Sequence, residues 1–380
     1  MRRVWPSDKH LSIGNWIATV IRLKDLTVKD IEMIEIGAGI LGTGGGGDPY
    51  IGKLMAREQL LRGKKITLIS PDEVDRESQI LPVAMMGAPV IMIEKLPGGK
   101  EVLKSLYYYE KNLRKRVDYI APIEIGGVNS TIPLVVSAIT GKPVLDGDGE
   151  GRAFPELQMV TFHLGDISAS PIAMFDERGN NNIVIATDNI WGEKIARSVT
   201  VRFGGSAYIA LYHMNGENFK RWSVKNTISK CIAIGNSVED AKKTGKNRLD
   251  VLLDVTNGKH IFTGKIIEIQ RRVEKGFAKG SAIIEGTEDY TGRKMRIDFQ
   301  NENLIADIDG QVITSVPDLI TIIDSESSLA ITTEHLKYGF RVNVIAMKCD
   351  DKWRTEKGLK TVGPRYFGYD IDYKPMEELL

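Results

Sequence analysis

The stretch 144–160, VLDGDGEGRAFPELQMV, crowds Asp146, Asp148, Glu150 and Glu156 around a single Arg152. Four carboxylates so close together repel one another unless a guanidinium, a metal ion or a hydrogen-bond-donating ligand holds them. Gly147, Gly149 and Gly151 let the backbone turn tightly between the charges. A buried polar cluster of this kind is either a functional site or costly scaffolding. Arg152 can pair with a neighbouring carboxylate, or clamp a substrate carboxylate or cyclic imide oxygen through two N–H groups. His163 follows the cluster, and a lone histidine in that setting is more often structural than acid–base.

Three further constellations accompany it. Thr43-Gly44-Gly45-Gly46-Gly47-Asp48-Pro49 joins two predicted helices. Four consecutive glycines make sense either where bare amides approach a ligand beside a helix N-terminus or where two helices turn a crowded corner. Glu124, Gly126, Gly127, Asn129 and Ser130 follow a predicted strand and precede a helix, the position where α/β sheets gather their sites. Glu124 and Asp146 fall near the ends of two successive strands and are expected to face one crevice. The polar run Gln300-Asn301-Glu302-Asn303 reads as a ligand-facing loop, with Asn301 as a contact, or as a turn.

Three motif matches fail on context. Gly37, Gly39 and Gly42 satisfy G-x-G-x-x-G but close a helix instead of opening one after a strand, so no nucleotide cofactor is expected. Residues 47–53 imitate a phosphate loop, yet Leu54 replaces the magnesium-binding hydroxyl and Pro49 removes an amide. The Asp146–Gly151 run imitates the start of a calcium loop, but Leu157 stands where its last carboxylate belongs. A divalent metal held differently by the acidic cluster stays open.

The elements that must position these residues follow from periodicity. A capping box at Thr27 and Asp30 opens one helix, and Asp48 with Pro49 opens a second through about residue 62. Residues 64–70, 118–125 and 142–146 read as strands, 82–93 as a buried apolar segment, and 131–140 as a helix stopped by Gly141. Beyond about residue 185 short β-branched runs, SVTVRF and AYIALYHM among the first, are separated by Gly, Asn and Asp, with one helix over 238–253 capped at Ser237 and Asp240. The reading is two-domain α+β: a mixed α/β N-terminal domain over 1–188 carrying the glycine-rich and acidic motifs, and a β-rich C-terminal domain over 189–380.

The chain has 380 residues, enough for two cores, and its 51 basic against 50 acidic residues give no field that favours nucleic acid or an anionic membrane. Two distant cysteines, Cys231 and Cys349, suit a reducing cytosol. The N-terminal 23 residues read poorly as a signal peptide, and no apolar run is long enough to span a bilayer, so a cytoplasmic protein is expected.

In order along the chain, GTGGGGDP, PIEIGGVNS, DGDGEGRAFPELQM, FQNENLIA, VPDLI and VGPRYFGYD add up to a likeness. The chain resembles the S-methyl thiohydantoin desulfurase domain family, long catalogued as a domain of unknown function. That family more often has Asp-Ala-Asp where this chain has Asp146-Gly147-Asp148, with the acidic positions retained. The resemblance implies an α/β then β-rich order, a small-molecule substrate, and association with hydantoinase or oxoprolinase-type enzymes that open cyclic amides. On this footing the chain is expected to act on a hydantoin-type cyclic amide or S-methyl thiohydantoin by adding water. Glu124 or Asp148 would be the base, and the Gly44–Gly47 amides and Arg152 would stabilise the anion. Asp146 and Glu156 would position Arg152 or hold a divalent ion. The alternative is a non-catalytic metabolite-binding subunit that docks on a hydantoinase; homo-oligomers fit either reading.

Overall fold

The structure is a computed structural model that describes residues 24–87, 101–274 and 276–379. The N-terminal segment 1–23 and the second half of the apolar stretch 82–93 lie outside the described residues. Among the described residues no helix is long and apolar enough to cross a membrane.

Two sheets set the architecture. The first is mixed and nine-stranded, with a parallel centre of Thr67–Ile69, Val144–Leu145, Tyr119–Pro122 and Gln79–Gly87 in that spatial order. These strands carry almost unbroken apolar runs because helices cover both faces. Antiparallel strands Ser206–Ala210, Ile172–Phe175 and Asn181–Val184 extend it beyond Gln79–Gly87. The second sheet is antiparallel and seven-stranded, running from Gln311–Ser315 through Glu302–Ile308, Lys294–Gln300, Phe277–Gly286, Lys259–Glu274 and Arg341–Met347 to Leu319–Asp324. It curls: Asn303, near one end of that order, donates from Nδ2 to the Ile320 carbonyl at the other end, 2.9 Å away.

Several helix ends follow the expected chemistry. Thr27 and Asp30 cap Val28–Leu41 reciprocally, Asp48 accepts from the Tyr50 amide at the start of Pro49–Leu61, and Gly141 ends Ile132–Thr140 at φ 75°. Gly37, the first glycine of the G-x-G-x-x-G match, has a packing reason. Val28–Leu41 crosses Thr227–Thr244 so closely that a Cβ on Gly37 would lie 2.3 Å from the Cys231 Cα, and one on Gly235 2.4 Å from the Met33 carbonyl oxygen.

Two expectations change. SVTVRF, read as a strand, forms the end of the helix Asn189–Arg202, because Gly192, Ala196 and Thr200 recur every fourth residue and bury one face. The helix expected over 238–253 is two helices, Thr227–Thr244 and Arg248–Thr256, broken at Gly245 in the left-handed region. Its true start has no side-chain cap of its own. Asp146 supplies one from outside, accepting from the Ser229 amide at 3.1 Å and the Ser229 hydroxyl. The C-terminal half is therefore richer in helix than one element. Beyond residue 188, Ser206–Ala210 still lies inside the first sheet, and the second sheet begins at Lys259.

Candidate active site

The parallel strands point their carboxyl ends at one place. Gln79–Gly87 ends there in Met85–Gly87, Tyr119–Pro122 leads to Glu124, and Val144–Leu145 leads into the acidic turn. From the other side comes the tight turn between Lys294–Gln300 and Glu302–Ile308, with Asn301 at φ 58°. Between them lies a cavity of about 60 Å³, whose polar lining includes Gly46, Glu124, Asn129, Glu150, Asn301 and Glu302.

The glycine corner is what lets these parts meet. A Cβ on Gly45 would sit 2.1 Å from Glu302 Oε1, and one on Gly127 would sit 2.0 Å from the Gly47 carbonyl oxygen. Thr43, Gly44, Gly46 and Gly47 all take positive φ. Of the corner residues only Gly46 lines the cavity; Thr43 and Gly44 accept the Asn303 and Thr333 amides through their carbonyls, and Asp48 caps its helix. On the opposite wall Asn129 clamps both backbone groups of Met85 and donates to Glu124 Oε1 at 2.6 Å. Gly126 approaches Ala153 too closely for any side chain.

Three carboxyl groups converge here. Glu124, Glu150 and Glu302 are 5%, 3% and 2% exposed, too little for bulk water to solvate an anion. Among the described residues Oε2 of each has no hydrogen-bond partner. Burial holds the Glu124 and Glu150 carboxyls well above the usual carboxylate range; the charges of Glu302 and Asp148 raise both further, and that of Glu124 also raises Glu150. Glu302 is pushed up to about 8 by burial, with Arg152 and the amides of Gly46 and of Glu302 itself favouring its charged form. Asp148 sits just behind. Burial lifts it to about 7 although its Oδ2 accepts from the Glu150 and Gly151 amides at 2.9 Å. Such a set favours protonated carboxyls at higher pH than free glutamate or aspartate does.

The sign for stability follows. A carboxyl whose folded pKa lies above its unfolded value stabilises the fold below the unfolded pKa and loses that contribution as pH rises through the folded one. Between the ordinary glutamate value of 4.5 and about 8, Glu302 therefore makes the fold less stable with rising pH. Thermal unfolding across that window is expected to show a falling midpoint, and Glu302→Gln is expected to flatten the slope; an unchanged slope would remove Glu302 from the buried titrating set.

Arg152 does not behave as its neighbours in sequence suggest. It is fully buried, and its pKa falls to about 10 through burial. It makes no ion pair with Asp146, Asp148, Glu150 or Glu156. Its guanidinium donates to the carbonyls of Ala153 at 3.1 Å, Pro317 at 2.7 Å, Asp318 at 2.9 Å and Asn303 at 3.4 Å, and to Thr43 Oγ1 at 2.9 Å. Phe154 covers its face at 4.4 Å. With every donor engaged it has none to offer a ligand, so it acts by holding the glycine corner, the acidic turn and the second sheet together.

The acidic cluster disperses. Asp146 caps a helix, Asp148 binds the turn's own amides, Glu156 accepts from Gln158 and Tyr366, and only Glu150 and Glu156 reach the cavity wall. The acids thus point in different directions, and among the described residues no group of three or more His, Cys, Asp or Glu side chains is arranged to hold a metal ion. His163 pairs with Asn189 at 3.0 Å and does not line the cavity. Glu150 and Glu302, named in the sequence only as members of the acidic cluster and the polar run and given no individual role, are two of the three central groups.

Two family models divide the chain between them: "S-Me-THD-like, N-terminal domain" matches residues 29–186 and "S-Me-THD-like, C-terminal domain" matches residues 187–376. No curated protein matches. A crystal structure of a protein from Chromobacterium violaceum is similar in fold, with a TM-score of 0.78 at 21% identity, covering 93% of this chain and 100% of that one.

Proposed function

Because the chain belongs to the S-Me-THD-like family, we propose that it is an enzyme that adds water to an S-methyl thiohydantoin, or to a related hydantoin-type cyclic amide, using its buried glutamates as paired acid and base. One observation carries this reading: three buried carboxyl groups, each with an unpartnered oxygen, line a single cavity at the carboxyl ends of parallel strands. A hydantoin-type ring offers polar edges to such a lining, and its reacting carbon needs a proton removed from water and one supplied to the ring.

The roles follow from the electrostatics. Arg152 and the Gly46 amide favour the charged form of Glu302, which suits it to take a proton from water. Glu124, oriented by Asn129, keeps its proton and gives it to the ring nitrogen. The water oxygen bonds to the ring carbon as the C=N electron pair moves to that nitrogen. The C–S bond then breaks, the new hydroxyl returns its proton to Glu124, and the departing thiolate takes the proton from Glu302. A ring carbonyl and methanethiol result, and both glutamates return to their starting states.

The test is to incubate the purified protein with S-methyl thiohydantoins and hydantoins, trapping methanethiol with a thiol reagent and following ring absorbance. Release of thiol, or ring opening, by the protein alone is the expected result. Turnover of none of these rings, with or without a hydantoinase present, overturns the reading.

A further inference from the structure

The cavity of about 60 Å³ is far smaller than the roughly 300–1,000 Å³ that ligand sites usually occupy, so it receives only the reacting edge of a ring. Glu156 and Arg197 line both this cavity and a second, outer hollow of about 960 Å³. In a hydantoin-type ring the saturated carbon lies on the side away from the sulfur-bearing one. A group on that carbon therefore faces the junction of the two hollows.

Most charge at the junction is spent internally. Arg197 pairs with Glu193 at 2.7 Å, donates to the Pro155 carbonyl at 2.9 Å and lies 4.4 Å over the Phe277 ring. Glu156 has no ionic partner among the described residues, but its Oε2 accepts from Gln158 and from the Tyr366 hydroxyl. Lys194 lies back over Trp191, and Arg202 leaves the helix Asn189–Arg202 roughly 100° around from Val201. No pair of like charges converges on one point.

The remaining lining beside Arg197 is apolar. The hairpin tip between Lys259–Glu274 and Phe277–Gly286 comes against the helix here: a Cβ on Gly276 would lie 3.1 Å from Arg197 Cδ and 3.9 Å from Val201 Cγ2. Phe277 follows that glycine, Val201 stands one turn along the helix from Arg197, and Tyr366 reaches in to Glu156. Val201 and Tyr366 are 54% and 40% exposed, and Phe277 is half-buried. Three apolar side chains left open around one hollow, at the mouth of a polar cavity, mark a place that an apolar group covers.

We propose that this junction is a subsite for a bulky apolar substituent, aryl or branched alkyl, on the saturated ring carbon, seated against Phe277, Val201 and Tyr366. The assignment rests on the functional reading above and narrows the substrates to rings that carry such a group.

Calorimetric titration with hydantoins bearing a benzyl, a carboxyethyl or an aminobutyl group on that carbon, and with bare hydantoin, tests this without needing turnover. The benzyl compound is expected to bind about tenfold or more tighter than bare hydantoin, as covering part of an aromatic group does, and tighter than either charged analogue. Val201→Asp is expected to remove the benzyl preference and Val201→Ile to keep it, while Phe277→Ala is expected to weaken it severalfold. Tightest binding by a charged analogue, equal affinity for benzyl and bare rings, binding of none of the four, or a preference that Val201→Asp and Phe277→Ala leave unmoved overturns the subsite. If benzyl is preferred as expected and no ring is turned over, the subsite stands and the enzyme reading fails; if rings are turned over without discrimination, the reverse holds.

Discussion

Glu124→Gln and Glu302→Gln are each expected to lower kcat by about 10²–10⁴-fold, the usual worth of a positioned acid or base, while leaving the protein folded. Glutamine keeps the shape and the Asn129 contact but carries no transferable proton. The fold is expected to hold or gain stability, because an amide in a buried site avoids the burial and mutual repulsion that raise these carboxyls. Loss of activity together with an unchanged or higher melting temperature is thus the signature. The double variant is expected to lose little beyond the worse single one, since the pair acts as a unit. Steady-state kinetics beside thermal unfolding reads both effects. Activity retained within a few-fold would remove these residues from the chemistry.

Arg152→Met is expected to do the opposite, destabilising by about 3 kcal/mol or more, since each buried acceptor left without a donor costs roughly 1–3 kcal/mol. The carbonyls of Ala153, Pro317, Asp318 and Asn303 and the Thr43 hydroxyl all lose their donor. Methionine fills much of the volume and supplies none of the five N–H groups. Arg152→Lys is expected to recover only part of the loss, because one ammonium cannot reach acceptors spread over four chain segments. Urea unfolding gives the difference directly. A shift under about 1 kcal/mol would show that water replaces the guanidinium and that the knot is dispensable.

Much of the frame was legible from residue chemistry. The caps at Thr27 and Asp48, the αL stop at Gly141 and the strand-end position of Glu124 all rest on local rules that tertiary contacts left intact. The site was half legible. Of the cavity lining, Gly46, Glu124, Asn129 and Asn301 stood out in the sequence because each falls at a turn next to a predicted element. Glu302 was hidden by its neighbours: the strand Glu302–Ile308 is buried on both faces over most of its length, so alternation gives no inward side to read. An acid abutting an unbroken apolar run was the available signal. Glu150 was visible in the acidic run but masked by Asp146 and Asp148, whose roles are local. Arg152 was misread because sequence proximity to four acids suggests ion pairing, whereas the partners it meets come from residues 303, 317 and 318, far along the chain. The helix at Asn189–Arg202 was misread because its β-branched end outweighed the four-residue spacing of its small buried positions.

The strand Ser206–Ala210 has a bearing on heredity. It belongs to the second of the two family-matched stretches yet pairs between Gln79–Gly87 and Ile172–Phe175 of the first. A gene severed at residue 188 would encode a first product lacking an internal rung of its sheet and a second carrying an orphan strand with nothing to pair against. The first sheet is thus completed only when both stretches are present on one polypeptide.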